Sequence, residues 1–168
     1  MAVDYRQLEE LRDACARHGV AYLVIGKSGA LLHGFPDTTQ DADLFIRKSP
    51  GNGRALVRAL RELQFRLNDQ EAQDIEQGKD FVQLKNGPFD IDLVYAPDGI
   101  ERFEDAWTRG IDVDGIAVCS LDDIIASKQA ANRVKDRETL PRLIAFRDYL
   151  RQRRSQRKRL GALPDNRP

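Results

Sequence analysis

Cysteine is scarce in this chain. Its 168 residues hold two, Cys15 and Cys119, far apart and without the spacing of a metal site or a disulfide framework. A reduced, cytoplasmic protein with two small buried thiols is the expectation. A charge of one sign is also missing. The 27 lysines and arginines balance 27 aspartates and glutamates, so no global field argues for a nucleic acid or a membrane surface. No apolar run is long enough to span a bilayer, and the first residues lack the apolar core of a leader peptide. Internal repeats are absent, and no low-complexity segment precedes the basic end. What is present is the composition of an ordinary globular domain, at a length that supports one domain with its own core. The expected organisation is a single domain over residues 1–153 and a basic, flexible tail over 154–168. Charge is unevenly placed within it. Arg151, Arg153, Arg154, Arg157, Lys158 and Arg159 crowd the end, while acids gather from Asp69 to Asp80 and from Asp90 to Asp105.

The most informative stretch runs from Tyr22 to Arg47, YLVIGKSGALLHGFPDTTQDADLFIR. Tyr22 to Ile25 reads as a buried strand that stops at Gly26-Lys27-Ser28-Gly29. Gly-Lys-Ser suggests a P-loop, but that motif needs a glycine where this chain has Ala21, so the spacing rejects it. The physics that survives is a glycine turn opening a helix, with backbone N–H groups, a lysine and a hydroxyl facing an anion. A tight turn needing small residues is the bland alternative. After a short helix ending at His33, read as a packed or capping histidine, Phe35 to Gln40 forms a turn. Thr38 and Thr39 sit where their hydroxyls can orient the carboxylate of Asp41. Asp41 and Asp43 then open a second strand. Residues i and i+2 of a strand share a face, so two like charges stand together unless a cation joins them. That pattern is half of a hard-metal site.

Elsewhere the pattern predicts a helix from Asp4 to Arg17 with Asp4 as N-cap, and a break at Ser49–Gly53 before a helix over Ala55–Leu63. A brief strand is expected at Phe65–Leu67 and a mostly irregular segment at Asn68–Lys79. Phe81–Leu84 and Phe89–Tyr95 form a hairpin through Lys85–Pro88. The second strand of that hairpin carries Asp90 and Asp92, poor strand formers in an apolar run. An edge hairpin with a solvated face would tolerate them. Convergence of Asp92 on Asp41 and Asp43 explains them better, and Asp90 is left as a neighbour or a solvent residue. A helix over Ile100–Thr108, a strand over Gly115–Cys119 and a helix capped by Ser120 and carrying Lys128 come next. Pro141 then marks a new helix beginning near Thr139.

The Gly26-x-Ser28 turn, the Asp41-x-Asp43 pair thirteen residues past the serine, and Asp92 in a later strand together resemble the nucleotidyltransferase (polymerase-beta-like) superfamily. The closing SLDDIIASKQAANRVKDRETLPRL is similar to the end of its small bacterial members, the minimal nucleotidyltransferases and the AbiEii-like toxins. The likeness covers roughly residues 5 to 150. Two positions depart: Lys27 stands where a second glycine is usual, and Pro36-Asp37-Thr38 where Pro-Arg-Thr is common. The resemblance implies an α/β (α+β) nucleotidyltransferase fold, a mixed sheet flanked by helices, with further helices at the C-terminal end. It implies Mg²⁺ or Mn²⁺ on Asp41, Asp43 and Asp92, with these three and Lys128 catalytic. It also implies a nucleoside triphosphate bound by Gly26, Lys27, Ser28, Gly29, Lys128, Arg133 and Asp136. The reaction implied is transfer of a nucleoside monophosphate to a hydroxyl by a two-metal mechanism. The acceptor stays open among RNA, protein and small molecule. A homodimer or an antitoxin partner, and a toxin–antitoxin or phage-defence setting, belong to the same implication. If the acceptor is tRNA, the basic tail becomes a backbone clamp; otherwise it is a solvated helix end.

Two other classes fit parts of the pattern. One is a catalytically weak nucleotide-binding or regulatory protein of the same fold. The other is a glycosyltransferase using Asp-x-Asp with a metal, against which the short chain argues.

Overall fold

The computed structural model describes residues 2–160. The first helix, α1 (Tyr5–His18), is opened by a capping box in which Asp4 accepts from Gln7 N and the Gln7 side chain accepts from Asp4 N. It ends at Gly19 in the left-handed region. β1 (Tyr22–Ile25), α2 (Gly26–Leu32) and β2 (Asp41–Ile46) come next, then α3 (Pro50–Glu62), α4 (Asp69–Gln77) and the hairpin β3 (Phe81–Leu84) and β4 (Asp90–Val94). The remainder comprises α5 (Phe103–Arg109), β5 (Ile111–Val113), β6 (Ile116–Val118), α6 (Leu121–Ala131) and α7 (Val134–Leu160). The strands form one mixed sheet in the order β3-β4-β2-β1-β6-β5. β2 lies antiparallel to β1 and parallel to β4, and β1 lies parallel to β6.

Alternation along the strands divides the core in two. Tyr22, Val24, Ala42, Leu44, Ile46, Ile91 and Leu93 face Leu8 and Leu11 of α1, Leu56 and Leu60 of α3, and Ile75 of α4. Leu23, Ile25 and Phe45 face the opposite way, against Ala30, Phe103, Ile124, Ile125 and Leu143. The second layer of helices covers β1 and the far part of β2. It leaves the same face of β4 and β3 open, so Phe81 and Gln83 are exposed. This gap places the site.

Several elements depart from the sequence expectations. α3 begins at Pro50 with Ser49 as N-cap, so the Ser49–Gly53 segment does not break the chain. Gly53 is helical because α4 crosses there: a Cβ would come 2.7 Å from Glu76 Cα. Residues Phe65–Leu67 form no strand; Phe65 instead packs edge-on against Phe89, 5.4 Å between centroids. Asn68–Lys79 is a capped helix, with Asn68 and Glu71 closing a reciprocal capping box and Gly78 ending it. β5 pairs with β6 across Asp114-Gly115, both at positive φ (51° and 82°), a turn that sequence reasoning missed. Pro141 lies inside α7 and starts no new helix. Fully buried Leu143 anchors the helix on α6 two residues later. α7 runs on through residue 154 to Leu160, and residues 161–168 of the expected tail lie outside the described residues. Among the described residues no helix is long and apolar enough to cross a membrane.

Candidate active site

The site is built on strand register. β2 and β4 run parallel with Asp41 opposite Asp90 and Asp43 opposite Asp92. Partners in a parallel pair point to the same face, so the Asp-x-Asp of each strand faces the uncovered side. Asp41, Asp43 and Asp92 line a cleft of about 810 Å³, and Asp90 lies outside it. The structure thus brings together the three expected carboxylates. Gly26 makes room for them. Its φ is +65°, and a Cβ there would sit 2.5 Å from Asp43 Oδ2. Only glycine meets both conditions without strain.

Burial pushes the Asp43 carboxyl up to about 7, with Asp92 and Asp41 adding to it and Lys128 and Lys135 opposing. Burial also raises Asp92, helped by Asp41, although Gln83 Nε2 donates to Asp92 Oδ1 at 3.1 Å and works against the rise. These groups crowd negative charge into a half-dry place, an arrangement that a hard cation relieves. Their oxygen donors suit Mg²⁺ or Mn²⁺. Among the described residues, however, no three histidine, cysteine, aspartate or glutamate side chains converge as a ready-made metal cage. The donor chemistry fits; the final approach of the ligands is not preassembled.

Opposite the carboxylates stands a cationic wall from α6, α7 and the short link between them. Lys128 Nζ lies 3.5 Å from Asp136 Oδ1, and Arg133 Nε donates to Asp136 Oδ2 at 2.7 Å. Arg133 also donates to Asp136 through its backbone N–H at 3.1 Å and through Nη2 at 3.3 Å. Asp136 is wholly buried. Burial alone would raise its carboxyl, but the bonds from Arg133 and the charge of Lys128 hold it below the usual range. Burial lowers Lys128, with Asp136 and Asp43 opposing the drop. Asp136 therefore fixes two cations at the cleft without entering it. Lys128, Arg133 and Lys135 line the cleft, and Asp136 stands behind them.

Ser28 and Gly29, expected to meet a phosphate, point away from the cleft. The Ser28 hydroxyl donates to Ile25 O at 3.0 Å and accepts from Asp43 N at 2.9 Å. With both capacities used and 1% exposure, its part is to bolt α2 to the strand that bears Asp43. Gly29 is a packing glycine: a Cβ would come 2.9 Å from Ile124 Cδ1 and 3.0 Å from Val24 O. Gly26 and Lys27 do line the cleft. Lys27 Nζ lies 3.5 Å from Asp37 Oδ2, which also accepts from Arg142 Nη2 at 2.8 Å. Asp37 is held low by the Thr38 backbone N–H, with Lys27 and Arg142 assisting. The Thr39 hydroxyl reaches the Asp41 backbone, donating to Asp41 O at 3.0 Å, rather than its carboxylate. His33 is a packed residue, its Nε2 2.8 Å from Cys119 O. Burial holds both thiols up at about 12, so the cysteines are inert filler.

Sequence reasoning missed Gln83 and Asp37. Gln83 was recoverable, since its hairpin register sets it opposite Asp92. Asp37 was not, because Arg142 lies 105 residues away.

The sequence matches no protein-family model and no curated protein. The structure is similar to the crystal structure of a protein from Thermotoga maritima named "putative nucleotidyltransferase (TM1012)", with a TM-score of 0.54 and 21% sequence identity. The likeness covers 88% of this chain and 92% of that one. What it establishes is the architecture: this chain has the nucleotidyltransferase fold.

Proposed function

We propose that this protein is a metal-dependent nucleotidyltransferase that moves a nucleoside monophosphate from a nucleoside triphosphate to a hydroxyl acceptor. The observation that carries the reading is the parallel register of β2 and β4, which sets Asp43 beside Asp92 and across the cleft from a cationic wall. Among the described residues Asp41, Asp43 and Asp92 on one side of the cleft form no ion pair, and the other side offers fixed cations. A triphosphate needs its negative tail held and its α-phosphorus presented to an attacking oxygen. Lys128 and Arg133, locked by Asp136, bind the β- and γ-phosphates together with Lys27 and Lys135. Asp41, Asp43 and Asp92 would hold Mg²⁺ or Mn²⁺, which when bound neutralises phosphate charge and acidifies the acceptor hydroxyl.

In the transfer the acceptor oxygen bonds to the α-phosphorus. The bond from that phosphorus to the bridging oxygen breaks, and pyrophosphate leaves toward the cations. The hydroxyl proton passes to the Asp92 carboxylate, which burial makes more basic and Gln83 keeps oriented. Lys128 balances the charge that grows on the leaving group. Ser28 and Gly26 take no part in bond making; they hold Asp43 in position.

The test is incubation with each α-³²P-labelled nucleoside triphosphate and Mg²⁺, against total RNA and cell lysate. The double variant Asp41→Ala, Asp43→Ala runs beside the wild type. Label on a discrete acceptor, lost in the variant, is the expected result. Metal-dependent triphosphate binding without transfer would instead mark a binding or partner-activated protein. Transfer surviving in the double variant would refute the assignment of the carboxylates. The toxin–antitoxin setting is read by induced expression: growth arrest with the wild type and none with Asp41→Ala supports it.

A further inference from the structure

We infer that the acceptor is a polynucleotide and that the far end of α7 is the arm that grips its phosphate backbone. This inference rests on the nucleotidyltransferase reading for the word acceptor, but the arm's binding stands on observations of its own.

α7 does two jobs along its length. Its first turns carry Lys135 and Thr139 in the cleft wall. Its middle packs down through Leu140, Leu143, Ile144, Phe146 and Leu150. Beyond Leu150 the packing face gives out over the next six residues. Residues 151–156 are all exposed, and the sequence from Arg151 to Leu160, RQRRSQRKRL, holds six cations and no acid. Of these, Arg151 is tied to Asp122 by its Nη2 at 2.8 Å. Arg153 and Arg154 pair with no carboxylate among the described residues, and Arg153 lies over the exposed Tyr149 ring, 5.8 Å from its centroid. The chain as a whole carries no net charge, so this concentration is local.

A helix normally earns its stability from a buried apolar face. Over residues 151–156 the extension has none, and like charges three and four residues apart oppose it. A partner of opposite charge is what such a segment suits. The lack of apolar residues between Arg151 and Arg159 argues against a lipid surface, which an interfacial helix enters with an apolar side. It argues equally against an apolar protein groove. A repeating polyanion needs only cations, spaced along a rod, and that is what the segment offers. The path also suits an acceptor. From Thr139 in the cleft wall to Arg154 the helix covers ~22 Å at 1.5 Å per residue. That equals about six or seven nucleotides at 3.4 Å each. A strand whose terminal hydroxyl lies at the carboxylates can therefore reach the arm only when longer than that.

The experiment uses the full chain and a variant carrying Arg153→Gln, Arg154→Gln, Arg157→Gln, Lys158→Gln and Arg159→Gln. Glutamine keeps helix propensity close to that of arginine, and far-UV circular dichroism checks the fold. Fluorescence anisotropy tracks binding of a labelled 20-nucleotide RNA, the DNA of the same sequence, and a five-nucleotide RNA. Vesicles of anionic lipid serve as the competing polyanion. The wild type is expected to bind the 20-mer with affinity falling on the order of 100-fold from 50 to 200 mM salt, as five phosphate contacts on a single strand give. The variant is expected to lose most of that affinity and to show a salt slope about 3 shallower. The five-nucleotide RNA should bind weakly to both. RNA and DNA differing in affinity identifies which polynucleotide is taken; equal affinity leaves the backbone as the feature recognised. Unchanged affinity and slope in the variant, no 20-mer binding by the wild type, or binding to vesicles alone would overturn the inference. Calorimetry of Mg²⁺-dependent triphosphate binding runs in parallel. Its loss in both proteins, with RNA binding intact, would count against the enzyme reading and not against the arm.

Discussion

Replacing Asp43 by asparagine should make the metal-free protein more stable at alkaline pH while abolishing the proposed nucleotidyl transfer. The folded carboxyl is pushed up to about 7 from an ordinary value of 3.8. A carboxyl whose folded value is raised binds its proton more tightly in the native state than in the unfolded one. Below pH 4 both states are protonated and Asp43 costs nothing. Between pH 4 and 7 the unfolded chain ionises while the folded site holds its proton, so stability falls as pH rises. Above pH 7 the full penalty is present. The interval from 3.8 to about 7 corresponds to an upper bound on the order of 4 kcal/mol at 1.36 kcal/mol per pH unit. Water and counter-ions reach the cleft, and ~2 kcal/mol is the more realistic gain on neutralisation. Asparagine keeps the shape and the backbone bond to Ser28 while removing the charge. Urea unfolding of both proteins in EDTA at pH 4.5 and pH 8 measures the difference. The variant should be the more stable by about 2 kcal/mol at pH 8 and by only about 1 kcal/mol at pH 4.5, where the unfolded carboxyl has begun to ionise. Added Mg²⁺ should stabilise the wild type more than the variant. Equal stability at pH 8, or a gap that does not shrink at low pH, would refute the picture of three carboxylates crowded into a half-dry site.

Three further substitutions probe the scaffold around the pair. Gly26→Ala drives a methyl into Asp43 Oδ2 and occupies a positive φ; a loss of about 1–3 kcal/mol in thermal unfolding and weaker Mg²⁺ binding by calorimetry are expected. Ser28→Ala leaves the Asp43 N–H without its hydroxyl partner and should cost about 1–3 kcal/mol. Because that hydroxyl faces inward, kcat should fall while KM for the triphosphate changes little; a selective rise in KM would restore Ser28 as a phosphate ligand. Asp136→Ala strips the anchor from Lys128 and Arg133, at a cost of about 3 kcal/mol for leaving Lys128 unpaired, and should raise KM and lower kcat together.

The sequence was most readable where a short-range rule governs. Asp4 with Gln7, the Asp41-x-Asp43 alternation and the Phe81–Tyr95 hairpin all obey spacing rules that hold within a few residues. The same rules apply at Asn68–Glu71 and at Asp114-Gly115, so α4 and β5 are legible in principle. Glycine misled where its cause is distant. Gly53 and Gly29 look like turn residues, but each serves a close approach by another element, α4 in one case and Ile124 of α6 in the other. Ser28 misled for a related reason. A Gly-x-Ser turn announces that a hydroxyl is wanted, not which way it points, and here a strand N–H fifteen residues away claims it. Pro141 interrupts hydrogen bonding locally, yet the burial of Leu143 and the length of α7 override the propensity.

Four aspartates in and behind the cleft are of two kinds, and the division reflects what each faces. Asp37 and Asp136 lie against arginine and lysine, and both are held below the usual carboxylate range. Their charge is already committed, so they act as holders that aim Lys27, Lys128 and Arg133. Asp43 and Asp92 lie against other carboxylates and are raised. Among the described residues neither forms an ion pair, so their charge is free for something that enters. A protein selected for stability alone would interleave the two sets, pairing each carboxylate with a cation. Keeping them apart, one kind on the rigid strands β2 and β4 and the other anchoring helices α6 and α7, costs stability and leaves a cleft with opposed charged walls. A bound metal–triphosphate, as proposed above, would present a cation to the first wall and an anionic tail to the second, and so would relieve both at once.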